Sequence, residues 1–136
     1  MRDGFVKVAA VTPKIRVADT TYNAGVIMEG IREAAAAGAK VIVLPELVLQ
    51  EYLLEQAKRA LGTIAEETAE VDAILFVGLP LAYNGKLYNV AAVLCRGEVL
   101  GFVPKTYLPN YNEFYEARHF ARGMADPVEV DFEGEC

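Results

Sequence analysis

The chain has 136 residues, 54% of them hydrophobic, which suits one folded domain with a sizeable core and excludes a disordered tail. Its formal net charge of -6, with the acids spread along the chain, disfavours nucleic acid and anionic membranes as partners, because both reward a basic patch. Two cysteines and one histidine in unrelated contexts give no zinc-ligand spacing, so no metal is expected.

Residues 5–12, "FVKVAAVT", have the composition of a first strand, ended by Pro13. Thr20 or Thr21 offers a hydroxyl to start a helix. Ala24, Ile27, Met28, Ile31 and Ala35 follow at helical spacing, and Gly38 is placed to end the helix. "KVIVL" (40–44) is a continuous apolar run that suits a buried parallel strand. A second helix is expected over 49–69, with an inward stripe of Leu53, Leu54, Ala57, Leu61, Ile64 and Ala65. Residues 72–81 read as another buried strand.

Beyond it the pattern changes. Two apolar runs joined at Arg96-Gly97 predict a β-hairpin that ends near Lys105. Asn84-Gly85 is a strong turn signal to which no chemistry is assigned. The aromatic segment 106–120 reads as a loop leading into a short helix, and 127–134 as a closing strand. Alternating strands and helices followed by a hairpin predict a single α/β domain over 1–136, a mixed sheet with helices on one face. The opposite face is left without cover from these elements.

Glu46 and Lys105 carry the chemistry. Each directly follows a proline at the end of a predicted strand, where functional groups gather in open α/β sheets. Glu46 has a bland alternative as a helix cap, and Lys105 as a solvated surface charge. If their strands are neighbours, the carboxylate and ammonium converge, and an ammonium there can face a developing oxyanion. Residues 108–120 add Tyr111, Phe114, Tyr115 and Phe120 with Glu113 and Glu116, a reasonable pocket wall, although loop packing would explain most of these aromatics. His119 has no serine or cysteine near it in sequence and is expected to pack or face solvent.

"VIVLPEL" (41–47) followed about sixty residues later by "GFVPKTYLPNYNEFYEARHF" (101–120) resembles the nitrilase superfamily, and within it the glutaminase domain of bacterial glutamine-dependent NAD synthetases. The resemblance implies one half of a four-layer αββα sandwich and a glutamate–lysine–cysteine triad acting on glutamine, with no cofactor in that domain. Glu46 matches the general base and Lys105 the oxyanion lysine. Either Glu116 or Glu113 matches a second family glutamate near the lysine, and Tyr111 and Phe114 match the substrate-side aromatics, so all four count as substrate-binding positions. The family's cysteine lies on a later strand, in a context that neither Cys95 nor Cys136 reproduces. The family's glycine-containing loop after the glutamate is also missing, since "VLQEY" (48–52) leads straight into helix-like sequence.

These departures lead to the expectation of a truncated, engineered fragment. It would be inactive as it stands, cytoplasmic, and a homodimer whose second copy covers the open sheet face and completes four layers. The alternative is part of an active glutamine-hydrolysing amidase whose remaining residues lie elsewhere. Whether the chain is itself an enzyme therefore hangs on the thiol.

Overall fold

The computed structural model describes residues 4–17, 19–46, 54–108, 119–130 and 132. In chain order its elements are β1 (Val8–Ala10), α1 (Thr20–Ala36), β2 (Val41–Val43), α2 (Leu54–Glu67), β3 (Ile74–Tyr83), β4 (Lys86–Cys95) and β5 (Glu98–Pro104). The strands form one mixed sheet in the order β1-β2-β3-β4-β5. β1, β2 and β3 run parallel, joined by helical crossovers, and β3–β4–β5 continue as an antiparallel meander.

Strand alternation divides the sheet into two unlike faces. Ile42, Leu75, Val77, Leu79, Leu81, Tyr88, Val90, Ala92 and Leu94 are buried against the inward stripes of the helices. Those stripes are Ala24, Ile27, Met28 and Ile31 of α1, and Ala57, Ala60, Leu61, Ile64 and Ala65 of α2. Val41, Val43, Ile74, Phe76, Val93 and Val103 fall on the other face, where they are half-buried or exposed. Among the described residues the helices therefore cover one face, as the sequence predicts.

Both hairpin turns follow from backbone chemistry. Asn84-Gly85 and Arg96-Gly97 have positive φ at both central positions, the geometry that matches the twist of two-residue hairpins. The first of these makes β3 and β4 a hairpin, which the sequence reading marks only as a turn. α1 is capped by Asp19, whose carboxylate accepts from Tyr22 N–H at 3.0 Å, rather than by Thr20 or Thr21. Thr20 is instead buried, its hydroxyl 3.4 Å from Gln56 of α2. At the other end Gly38 turns left-handed at φ 87 and donates to Ala35 C=O.

The closing strand is a correction. Residues 127–130 and 132 are irregular, and their alternation serves packing without a ladder. Val130 lies against the core and the Phe132 ring sits 5.1 Å from that of Phe102. The expected first strand shrinks to three residues, and the second helix is described only from Leu54 onward.

Candidate active site

The carboxyl ends of β2, β3 and β5 lie on one edge of the sheet, because two antiparallel steps bring β5 back to the direction of β3. Glu46 stands three residues past β2 and Lys105 directly past β5. Strands β3 and β4 separate them, and both side chains reach inward across that gap. Lys105 Nζ donates to Glu46 Oε1 at 2.6 Å. Gly78 of β3 and Ala91 of β4, paired across the hairpin, keep the floor beneath them low.

Asn89 of β4 is the third member, and the sequence reading missed it. Its side chain is 2% exposed, and its Nδ2 also donates to Glu46 Oε1. A carboxylate only accepts, which fixes the amide's orientation. The main chain of the same residue holds Lys105, whose N–H donates to Asn89 C=O at 2.8 Å. The facing residue across the hairpin is Pro80, which has no N–H to offer. It is tolerated because the ladder to β2 has already ended near Phe76. A signal existed in the sequence: in "YNVAAVL", strand period puts Asn89 with Ala91 and Val93 on the uncovered face, where a lone amide stands out.

Lys105 is braced from behind as well. Its C=O accepts from Gly123 N–H at 3.0 Å, while Ala121 N–H bonds Leu87 C=O at 2.7 Å. A cavity of about 400 Å³ opens beside the three residues. Val43, Leu44, Pro45, Phe76, Val90, Ala91 and Val103 form its apolar wall, and Glu46, Asn89 and Lys105 are its polar members. A few convergent polar groups on an apolar wall is the usual character of a small-molecule site. The side chains of Glu46 and Lys105 are 52% and 28% exposed, so their contact adds little to stability, roughly 0–1 kcal/mol. The carboxyl group most displaced from its ordinary ionisation among the described residues, Asp72, precedes β3 at the opposite edge and takes no part.

Glu46 and Lys105 therefore meet as expected. Tyr111, Glu113, Phe114, Glu116 and Cys136 lie outside the described residues, as does the "VLQEY" stretch. Cys95 ends β4 six residues from Asn89, about 20 Å along the strand, and cannot reach Glu46. His119 is exposed. Among the described residues no three His, Cys, Asp or Glu side chains gather as a metal site, and no helix is long and apolar enough to cross a membrane.

The carbon-nitrogen hydrolase family matches residues 7–132. The glutamine-dependent NAD(+) synthetase of Mycobacterium tuberculosis is 41% identical over 130 residues, covering 88% of this chain and 19% of that protein. The Aquifex aeolicus protein of the same name is 42% identical over 89 residues, 65% of this chain and 15% of its own. Among solved structures, the glutamine-dependent NAD(+) synthetase from Cytophaga hutchinsonii superposes with a TM-score of 0.80 at 26% identity, covering 90% of this chain and 22% of that one. An amidase from Nesterenkonia sp. shares the fold, with a TM-score of 0.74 at 22% identity, covering 98% of this chain and 54% of that one. The chain spans about a fifth of the length of the first curated relatives it matches. It is a member of the carbon–nitrogen hydrolase family, the nitrilase-type α/β fold.

Proposed function

We infer that this segment supplies the base and the oxyanion donor of a glutamine amidohydrolase site, and that the thiol comes from outside the described residues. The observation that carries the reading is the 2.6 Å contact between Lys105 and Glu46 at the mouth of an apolar-walled cavity. Glu46 takes the proton of the incoming thiol, and the thiolate attacks the amide carbon of glutamine. Lys105 donates to the oxygen that gains charge as the carbonyl becomes tetrahedral. The proton passes to the departing nitrogen, ammonia leaves, and water then cleaves the thioester to glutamate with Glu46 again as base. Among the described residues no thiol comes within reach of Glu46, since Cys95 stands at the far end of β4.

A shortened loop after Glu46 fits the same reading. The mycobacterial match runs over 130 residues but takes in 88% of the chain's 136, about 120, so about ten positions of the relative have no counterpart here.

The test is a chimera in which this chain replaces the matching segment of the Mycobacterium tuberculosis protein. The relative's own residues are kept between Glu46 and Leu54. We expect ammonia release from glutamine, cut about 10²–10⁴-fold by Glu46→Gln, the range for losing a general base, and about 10²–10³-fold by Lys105→Met, the range for losing one oxyanion donor. Release indifferent to both substitutions would exclude the reading.

A second reading concerns the isolated chain. On the face that the described helices leave open, Val43 and Val103 are 44% and 57% exposed. We propose that a second copy covers that face, stacking sheet on sheet about a two-fold axis and giving four layers.

A further inference from the structure

We propose that Asn89 is the positioning residue of this site, holding Glu46 so that Oε2 alone is left to accept a proton. The proposal rests on the amidohydrolase reading of Glu46 and Lys105. Both hydrogen bonds to the carboxylate, from Asn89 Nδ2 and from Lys105 Nζ, fall on the same oxygen, Oε1. Among the described residues Oε2 accepts none. A carboxylate gripped by one oxygen from two directions cannot rotate without breaking both bonds. Its second oxygen is then presented in a fixed direction, which is what a general base requires.

Lys105 cannot supply that grip alone. Its ammonium sits on a four-carbon stem with several rotamers, and in the reaction it must donate to the oxyanion. Asn89 has a short side chain, 2% exposed, on the central strand β4 of the meander. Its backbone and its side chain serve different partners, Lys105 N–H and Glu46 Oε1. One residue therefore sets the spacing of the base and the oxyanion donor, and any shift of β4 moves both together. Asn89 touches neither the reacting amide nor the thiol in this scheme, so its effect acts through Glu46.

Two measurements decide the matter. The first is the side-chain amide signal of Asn89 in the ¹⁵N-labelled chain. The proton held by the carboxylate should be displaced from its partner, and Glu46→Ala should bring the two together. An Asn89 signal that ignores Glu46→Ala in a folded protein would overturn the proposal. The second is Asn89→Leu in the chimera, which keeps the branched shape and removes the donor. A positioning role predicts kcat lower by about 10²-fold with KM almost unchanged, the scale of a small misplacement of a reacting group. An unchanged kcat in a folded variant would show that Asn89 only fills space, and so overturn the proposal. If the chimera with native Asn89 releases no ammonia, the amidohydrolase reading fails, and the amide signal alone decides whether Asn89 holds Glu46.

Discussion

Among the described residues Lys105 is held by Asn89 C=O on its amide, by Gly123 N–H on its carbonyl and by Glu46 on its ammonium. Such bracing separates stability from chemistry. Lys105→Met should lower unfolding stability in urea by no more than about 1 kcal/mol, because the ion pair it breaks is partly solvated. In the chimera the same change should remove most turnover. The brace itself is more brittle. A Cβ added at Gly123 would stand 3.0 Å from Pro104 Cγ, Pro104 O and Thr106 Oγ1. Gly123→Ala is therefore expected to cost about 1–3 kcal/mol by overpacking, measured by urea unfolding, and to move the amide resonance of Lys105.

At the scale of elements, the edge of the sheet opposite the site is tied by charge. Asp72, just before β3, receives Lys40 Nζ at 2.6 Å and the guanidinium of Arg96 from the β4–β5 turn. Hydrogen bonds from Lys40 and then Arg96 hold its carboxyl at about 2, below the usual 3.8. A lowered folded-state pKa means that the contribution is complete above about 3.8 and disappears as pH falls through about 2. Comparing the chain with Asp72→Asn in urea should show a stability gap at neutral pH that closes over that window. A gap independent of pH would remove the ion network as its cause. The helices depend on burial instead. Ile27 and Leu61 are fully buried where α1 and α2 meet the sheet, so Ile27→Ala or Leu61→Ala should each cost about 2–5 kcal/mol by urea unfolding.

How far the sequence could be read follows from these same elements. Runs such as 40–44 and 72–81, and the helical stripe of α1, declare themselves through period. Glu46 and Lys105 do so by standing just beyond strands. Asn89 was harder because it sits inside a strand, and its meaning depends on which face the helices cover. The irregular stretch at 127–130 misleads for a related reason. Alternation reports burial on one side, and Val130 and Phe132 achieve that burial without a ladder partner.

At the scale of the whole molecule, a one-sided sheet with a site at its rim is half of an arrangement. In isolation its apolar face should bring two copies together, and sedimentation equilibrium at micromolar concentration should return twice the mass of the 14.8 kDa chain. A single monomeric species would refute that pairing. The central claim is the proposal that Glu46 and Lys105 act as base and oxyanion donor towards a thiol that lies outside the described residues. Ammonia release from glutamine by the 136-residue chain alone tests it most directly. The account predicts none above the uncatalysed rate, since Cys95, the cysteine among the described residues, is a strand's length away and the sequence around Cys136 does not match the family's thiol. Steady release that Glu46→Gln abolishes would contradict it, by showing that a thiol of this chain already reaches the site.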